Sequence, residues 1–352
     1  MQKNKLKKLI CSLTAILFLC PALYVNAEEP SSSAEAAVLI ECNQNKILYE
    51  KNAHRSLPMA STTKIMTAVT ALEYFSPDEK ITVSTEAVGI EGTSACLEAG
   101  EIYTLEELLY ALLLQSANDA AVAIAVGVCG SVDDFAVLMN RMAKALGLSG
   151  TCFKNPHGLP DEGHYTTAYD LALIASHAMK NECISKITSA KTAQITSEQG
   201  KTRYFTNHNK LLTTYKGADG VKTGFTKASG RCLVSSATRD GLRLIAVTLN
   251  CHDDWEEHKS MLDWGFANYN AVRLSDISAD ERFIACVADG SIVPIKAEEC
   301  LITVRCGDED RIKVRYEHPR FVYQAPKNRY IGRYVCTLDG VTVAEGKLLT
   351  IQ

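Results

Sequence analysis

Residues 57–68 read LPMASTTKIMTA, and the stretch that they begin decides the fold. The apolar residues that follow recur at the spacing of one helix face: Ile65, Met66, Val69 and Leu72. This pattern predicts a helix over 61–74, with the hydroxyl residues 61–63 as candidates for its N-cap. Lys64 follows Ser61 by three residues, so both side chains would share one face with Cβ atoms about 5–6 Å apart.

A lysine at this spacing can activate a serine as a nucleophile. Serine needs a base within hydrogen-bond reach. Lys64 can serve only when it is unprotonated, so burial or a neighbouring cation must lower its pKa from about 10.4. A helix N-terminus would favour both the lower pKa and a nearby oxyanion. Ser61 is the only serine of the chain with lysine three residues later. For this motif alone, a helix-capping serine followed by a solvated lysine remains the alternative.

Two further motifs could supply partners to this pair. Ser116-Ala117-Asn118 is the only S-x-N of the chain, and it lies between two helical patterns, where a tight turn can present both polar side chains. A cap for the following helix explains it equally well.

Lys222-Thr223-Gly224 is the only K-T-G of the chain and precedes a predicted strand hairpin. A strand that carries a lysine, a hydroxyl and then a glycine lets a substrate backbone lie alongside it. It also offers a cation and a hydroxyl to a carboxylate. A surface strand with a solvated lysine is the alternative.

Apolar periodicity predicts the elements around these motifs. One β-hairpin is predicted for 36–41 and 46–50, and a second, almost continuously apolar one for 231–237 and 242–249. Helices are predicted over 104–114, 119–128, 132–146, 167–179 and 255–267. Beyond about Asp280, short apolar runs separated by Gly, Pro and Asp turns predict a small all-β domain.

The 352 residues suggest two domains at about 150 residues each. Four lysines precede an uncharged apolar run over 9–25, and a small-residue cleavage pattern ends at Ala27. We therefore predict a signal peptide over 1–27, cleaved rather than kept as an anchor. A catalytic domain is predicted over 28–272, and a C-terminal β-rich domain over 280–352. The protein is expected to be exported, to the extracytoplasmic cell envelope or beyond it.

Charge and cysteine content exclude other classes. Removing the four lysines leaves 33 Lys+Arg against 41 Asp+Glu, a charge of about −8 without the basic footprint of a nucleic-acid-binding protein. Of 13 cysteines, 11 follow residue 27, and none has C-x-x-C spacing. We expect them to be mostly small buried hydrophobic residues, and we expect no metal and no cofactor. His157 and His164 occur without an H-E-x-x-H or G-x-S-x-G motif, so structural hydrogen bonds are predicted for them.

In their order along the chain, S-x-x-K, S-x-N and K-T-G match the set shared by penicillin-binding proteins and β-lactamases. Their surroundings, with NPHGLP at 155–160 and HYTTAYDLA at 164–172, resemble the serine-type D-Ala-D-Ala carboxypeptidases, the low-molecular-mass penicillin-binding proteins. The resemblance covers nearly the whole mature chain. It implies an α+β fold of the serine β-lactamase/D,D-peptidase type, with an antiparallel sheet flanked by helices, followed by a small all-β domain.

The resemblance also implies an activity and a role for each matching residue. The enzyme would remove the terminal D-alanine from peptidoglycan stem pentapeptides during peptidoglycan maturation, and β-lactam antibiotics would inhibit it covalently. The implied roles are Ser61 as nucleophile, Lys64 as its proton acceptor, Ser116 as proton relay, Asn118 on the peptide amide, Lys222 as positive charge, Thr223 on the terminal carboxylate, and the N–H groups of Ser61 and Phe225 as oxyanion hole.

The chain departs from the family at 253–259, DDWEEHK, where some relatives place an arginine that helps to bind the terminal carboxylate. Lys222 and Thr223 would then carry carboxylate recognition with less help. Many relatives also end in an amphipathic helix on the membrane, whereas 341–352 predicts strands, so we expect loose membrane association or release.

Two other functions stay open at this point. A β-lactamase shares all three motifs, but class A enzymes add a glutamate for deacylation, usually in an E-x-x-L-N stretch that this chain lacks. The second is a wall-binding module whose peptidase site is vestigial.

Overall fold

A computed structural model describes residues 28–277, 282–324 and 326–351, so the predicted signal peptide lies outside the described residues. The strands in chain order are β1 Ala36–Glu41, β2 Ile47–Lys51, β3 Lys80–Thr82, β4 Ile102–Thr104, β5 Thr192–Thr196, β6 Thr202–Thr206, β7 Ala218–Thr226, β8 Gly230–Arg239, β9 Leu242–Leu249, β10 Tyr269–Arg273, β11 Arg282–Cys286, β12 Ile292–Ala297, β13 Leu301–Arg305, β14 Ile312–Glu317, β15 Phe321–Val322, β16 Tyr330–Leu338 and β17 Val341–Thr350. The α-helices are α1 Lys64–Tyr74, α2 Leu105–Tyr110, α3 Asn118–Cys129, α4 Val132–Ala145, α5 Ala168–Ala178, α6 Glu182–Ser189, α7 Leu211–Thr214, α8 Asp254–Asn268 and α9 Leu274–Ile277.

A five-stranded antiparallel sheet, in the order β2-β1-β9-β8-β7, forms the centre of the first region. Both predicted hairpins are confirmed, as β1–β2 and β8–β9. Helix α5 packs against β1 and β9 on one face, and α8 packs against β8 and β9 on the other. Because both faces are covered, the inner strands β8 and β9 are largely apolar. Strand β7 is the last strand of the sheet, so among the described residues one of its edges has no neighbouring strand.

The segment that begins at Ser61 is helical, but in two parts. Residues Ala60–Thr63 form a 3₁₀ turn, and α1 begins only at Lys64. The expected capping by hydroxyl side chains is wrong, because Thr62 and Thr63 donate to the carbonyl oxygens of Met59 and Ala60, at 2.6 and 2.8 Å. Helix α1 is buried from Lys64 to Ala71, which makes it a core helix rather than a surface helix.

The remaining predicted helices are present with small shifts of their ends. The helix predicted over 104–114 ends as an α-helix at Tyr110 and continues as a π-helical turn over Ala111–Gln115. Sequence patterns missed α6 and the β5–β6 hairpin, which are short elements with only one or a few buried apolar side chains each. Among the described residues, no single helix is long and apolar enough to span a membrane; α3 and α4 reach both limits only as a pair, across an 84° bend.

The C-terminal region is built almost entirely of strands, as predicted. Six strands form one sheet in the order β14-β16-β17-β12-β11-β15, and β10 pairs with β13 in a smaller sheet. The predicted division at 272–280 stays a prediction; the pairing of β10 with β13 begins at Tyr269, ahead of it. Thr303 of β13 donates a hydrogen bond of 3.1 Å to the buried Glu41 of β1, which links the two regions.

All eleven cysteines of the described residues are unpaired. Five of them are buried: Cys42, Cys232, Cys251, Cys286 and Cys336. These five fit the expectation of small side chains within the core. Of the other six, Cys96 is exposed and five are partly buried, so the expectation of mostly buried cysteines holds only in part.

Candidate active site

Ser61 lies on the 3₁₀ turn that precedes α1, and two glycines allow the surrounding backbone to approach that turn. Ala60, just before the serine, has a positive φ of 48°. A Cβ at Gly158 would lie 1.9 Å from the Ala60 carbonyl oxygen, and a Cβ at Gly224 would lie 3.1 Å from the Ser61 amide nitrogen. Only glycine fits at Gly158, and the K-T-G strand therefore lies directly against the amide of the serine.

The Lys64 amine is at the centre of the site and is fully buried. Its Nζ atom lies 2.9 Å from Ser61 Oγ, 2.7 Å from Asn118 Oδ1 and 2.6 Å from the His157 carbonyl oxygen. Burial, and next the charge of Lys222, hold the pKa of Lys64 well below its usual value, with a smaller opposing effect from Asp119. A lysine can act as a base only if its pKa is lowered, so that the neutral amine is present. These surroundings lower the pKa of Lys64 and so meet that requirement.

The S-x-N motif forms the second wall. Ser116 has a left-handed backbone (φ 65°) at the junction of the π-helical turn and α3, and it is 6% exposed. Asn118 begins α3, but the N-cap is Ala117 and no side chain caps the helix, so the helix-cap alternative is wrong. The Asn118 amide instead lies between Lys64 and the Glu91 carbonyl oxygen, to which its Nδ2 donates at 2.6 Å.

The K-T-G motif lies on the edge strand β7. Lys222 is 1% exposed, and burial lowers its pKa to about 7. Its Nζ donates to the Thr223 carbonyl oxygen at 3.0 Å. Phe225, which follows the motif, is 66% exposed and lies opposite Arg231 in the β7–β8 register. The exposed-strand alternative for this motif is therefore wrong for the lysine, which is buried beside the site.

A cavity of about 370 Å³ opens in front of these groups. It brings together four residues that the sequence predicted, Ser61, Ser116, Thr223 and Phe225, while Lys64, Asn118 and Lys222 are buried. Gly224 of the K-T-G motif, which was predicted to let a substrate backbone approach, also lines the cavity. The other lining residues were not predicted from the sequence: Thr93, His208, Lys210, Arg231, Asp254 and Trp255.

The loop 155–160 holds the Lys64 amine in place through a backbone carbonyl oxygen. Asn155 accepts from the Gly158 amide at 2.7 Å and donates to the Leu159 carbonyl at 3.0 Å, which closes the loop. The Pro156 carbonyl oxygen of this loop accepts a hydrogen bond from Thr67 Oγ1 of α1 at 2.6 Å. This loop presents the His157 carbonyl to Lys64, a contact that no side-chain motif could reveal.

The two histidines that invite a catalytic interpretation make structural hydrogen bonds. His164 Nε2 lies 2.8 Å from Thr63 Oγ1, and its Nδ1 accepts from the Lys154 amide at 3.0 Å. His157 Nδ1 accepts from the Leu159 amide at 3.2 Å. Burial lowers the pKa of each imidazole to about 4, so both rings are neutral at pH 7.

Taken together, a hydroxyl against a buried amine, an open strand edge and a neighbouring cavity define a serine–lysine site suited to acyl transfer. The D-alanyl-D-alanine carboxypeptidase family matches residues 24–253 of the chain. The DacF carboxypeptidase of Bacillus subtilis is 39% identical over 254 residues, which are 70% of this chain and 65% of that protein. The DacC carboxypeptidase of Escherichia coli is 30% identical over 376 residues, covering 100% of this chain and 92% of that protein.

Solved structures agree with these matches. The crystal structure of penicillin-binding protein 5 from Haemophilus influenzae superposes with a TM-score of 0.74 at 29% identity, covering 93% of this chain and 98% of that one. The Streptomyces K15 DD-transpeptidase superposes with a TM-score of 0.64 at 32% identity, covering 68% of this chain and 100% of that one.

This chain belongs to the D-alanyl-D-alanine carboxypeptidase family. The predicted fold class, the peptidase fold with its antiparallel sheet and helices followed by an all-β region, is thereby confirmed. The predicted enzyme class, a serine D-Ala-D-Ala carboxypeptidase of peptidoglycan metabolism, is confirmed as well.

Proposed function

We propose that Ser61 is the nucleophile of this carboxypeptidase and that Lys64 is its base. The observation that carries the proposal is the 2.9 Å separation of Lys64 Nζ and Ser61 Oγ, at an amine that is fully buried. A buried amine beside a second lysine loses its proton at a lower pH than a solvated one, which supports a base that is uncharged when substrate binds.

The reaction then proceeds in two steps. In acylation, Ser61 Oγ bonds to the carbonyl carbon of the penultimate D-alanine while its proton passes to Lys64 Nζ. The C–N bond to the terminal D-alanine breaks, and Ser116 relays the proton from Lys64 Nζ to the departing nitrogen, which leaves Lys64 neutral again. In deacylation, water adds to the ester and gives its proton to Lys64. The bond between Oγ and carbon then breaks while Lys64 Nζ returns that proton to Oγ, which releases the shortened peptide and restores the Ser61 hydroxyl.

Binding follows from the position of β7 at the edge of its sheet. A stem peptide lies along the free edge of this strand, as an added strand would. Asn118 binds the peptide amide, Lys222 and Thr223 act near the terminal carboxylate, and the amides of Ser61 and Phe225 donate to the oxyanion. β-Lactams, which mimic the acyl donor, acylate the same hydroxyl.

We also propose that the protein acts outside the cytoplasm. The basic and apolar character of 1–25 supports export, and the similar Haemophilus influenzae structure is described as a penicillin-binding protein. Loose association with the membrane or the envelope is the form of attachment that we propose.

Intact-mass spectrometry of the purified protein with penicillin, followed over time beside a D-Ala-D-Ala-ended peptide, tests this function. A long-lived adduct on the Ser61 peptide together with D-alanine release supports it. Rapid loss of the adduct with accumulating penicilloic acid would mean a β-lactamase, and no adduct with no turnover would mean a binding module. The control is Ser61→Ala, which should be folded but unable to form an adduct.

A further inference from the structure

Arg231 is a cavity-lining residue for which the sequence suggested no role. It lies on β8, and the β7–β8 register places it directly opposite Phe225, two residues from Thr223 along the edge strand. The Arg231 side chain is 44% exposed and lines the same cavity as Ser61. A cationic side chain therefore stands in the cavity beside the strand along which the substrate is proposed to lie.

We propose that Arg231 binds the terminal carboxylate of the peptide substrate and so makes the enzyme specific for a free C-terminus. This inference rests on the proposed function, because only a carboxypeptidase must recognise the carboxylate of the residue that it removes. A guanidinium presents a planar fork of donors that matches a carboxylate with two parallel hydrogen bonds.

Other cations near the cavity are less suited to this task. Burial lowers the pKa of Lys222 to about 7, so at neutral pH that amine carries its charge only part of the time. Lys210 is exposed and packs over the Trp255 ring at 5.9 Å, which offers one point charge on a flexible side chain. The guanidinium of arginine keeps its charge at neutral pH, and in Arg231 one of its nitrogens is held by an ion pair with Asp254.

Asp254 holds one nitrogen of the Arg231 guanidinium in place. This carboxylate, 5% exposed at the start of α8, lies 2.9 Å from Arg231 Nη2. It also accepts from the Trp255 amide at 3.0 Å, so its orientation is set by the helix. With one nitrogen of the fork bound to Asp254, donors of the guanidinium remain for a ligand in the cavity. Asp254 is thus a positioning residue for Arg231.

This pair explains the chain's departure over 253–259. The start of α8 carries the carboxylate of Asp254 and lacks the arginine that some relatives have in this stretch. Arg231, on the neighbouring strand β8, supplies a cation that faces Asp254. The expectation that Lys222 and Thr223 bind the terminal carboxylate with less help is therefore revised.

The test compares two peptides with the same sequence, one ending in D-Ala-D-Ala with a free carboxylate and one ending in the C-terminal amide. We expect the unmodified enzyme to prefer the free carboxylate. Arg231→Gln should lower kcat/KM for the carboxylate peptide by about 10–100-fold, the worth of a charge-assisted pair, and leave kcat/KM for the amide nearly unchanged. Arg231→Lys should recover only part of the preference, because it restores the charge without the fork.

Arg239→Gln is the matched control. Arg239 lies at the other end of β8 and pairs with Asp263 of the same helix α8, at 3.5 Å. Arg239→Gln should leave the ratio of kcat/KM for the carboxylate peptide to kcat/KM for the amide peptide unchanged. A preference for the carboxylate that survives in Arg231→Gln would overturn the proposal.

Asp254→Asn tests the positioning role. We expect it to raise KM for the carboxylate peptide several-fold with kcat nearly retained, and to leave both constants for the amide peptide unchanged. A uniform loss of activity on both peptides would show a merely structural role and overturn that assignment. If the unmodified enzyme released neither D-alanine from the carboxylate peptide nor D-alaninamide from the amide peptide, and formed no penicillin adduct, the proposed function itself would fail. Turnover with no dependence on Arg231 would overturn only the present inference.

Discussion

The two regions of this protein treat buried charge differently. Among the described residues of 28–268, the interior holds ten side chains that carry or can carry a charge: Glu41, Lys64, Glu101, Asp119, His164, Asp170, Arg203, Lys222, Asp254 and His258. In the described part of 269–351, the buried polar residues are two threonines, Thr303 and Thr350. The β-rich region thus keeps its charges at the surface, and the peptidase region does not.

The difference separates structural from functional burial. A buried charge is costly unless it is paired or bound by hydrogen bonds. Most of the ten satisfy this rule; Arg203, for example, lies 2.8 Å from Glu101. Lys64 and Lys222 are also hydrogen-bonded, but they are two neighbouring cations with no ion-pair partner among the described residues. The charge of Lys222 disfavours the charged form of Lys64. Two like charges buried without a counterion indicate a site maintained for its chemistry.

The largest effect should come from the lysine that contacts the serine. Lys64→Ala should slow acylation by penicillin by roughly 10⁴-fold, because no base remains within reach of the Ser61 hydroxyl. Stopped-flow or mass-spectrometric rates of adduct formation measure this. Far-UV circular dichroism serves as the folding control, and a loss of only a few-fold would mean that another group is the base.

Replacing the second lysine should move the pH profile. Lys222→Met removes a cation that disfavours protonated Lys64, so the pKa of Lys64 should rise. The acidic limb of the acylation rate should then move to higher pH, by about one unit. The rate constant of penicillin acylation between pH 5 and 10 gives the profile. An unmoved limb would show that the two amines are not coupled.

The same substitution should stabilise the fold. The pKa of Lys222 is about 7 in the folded chain and about 10.4 when unfolded. Between these values the unfolded state binds more protons, so the charge of Lys222 costs stability that grows as the pH falls from 10 towards 7. Lys222→Met should therefore raise the free energy of unfolding by on the order of 1–3 kcal/mol at pH 7, and by less at pH 10. Denaturant unfolding at both pH values measures this, and an equal gain at both would contradict the assigned cause.

The smallest effect is expected at a charge of the β-rich region. Arg333 Nε lies 2.7 Å from Glu317 Oε2 in a largely exposed pair. Arg333→Ala should change the melting temperature by less than about 2 °C, because water screens such pairs, and should leave peptide hydrolysis unchanged. Differential scanning calorimetry measures the melting temperature. A shift larger than about 2 °C would contradict the difference drawn between surface charges in the β-rich region and buried charges in the peptidase region.

The sequence located the principal side chains because short motifs fix them locally. Ser61 and Lys64 share one turn, and the hairpin strands next to Lys222 follow from their apolar runs. What sequence reasoning missed depends on tertiary contact. Arg231 and Asp254 are 23 residues apart and meet only when α8 packs on β8. The His157 carbonyl belongs to the backbone and leaves no side-chain signal.

Local competition between backbone and side chains explains the other errors. The hydroxyls of 62–63 were expected to cap a helix, yet they donate to carbonyls of the preceding turn because the chain enters α1 through a 3₁₀ turn. The helix predicted up to Leu114 widens into a π-helical turn ahead of Ser116. Both deviations occur beside the proposed catalytic residues, where position matters more than regular geometry.

The three oxygen neighbours of Lys64 Nζ have a further consequence for the storage of a proton. A neutral amine has two N–H groups and one lone pair, and an ammonium has three N–H groups. Asn118 and the His157 carbonyl can accept in both states, while the contact with Ser61 reverses its direction when the proton crosses. Lys64 Nζ can therefore gain and lose a proton while its three oxygen neighbours stay in place. On the proposed mechanism, each turnover then proceeds with little reorganisation of the surrounding dipoles.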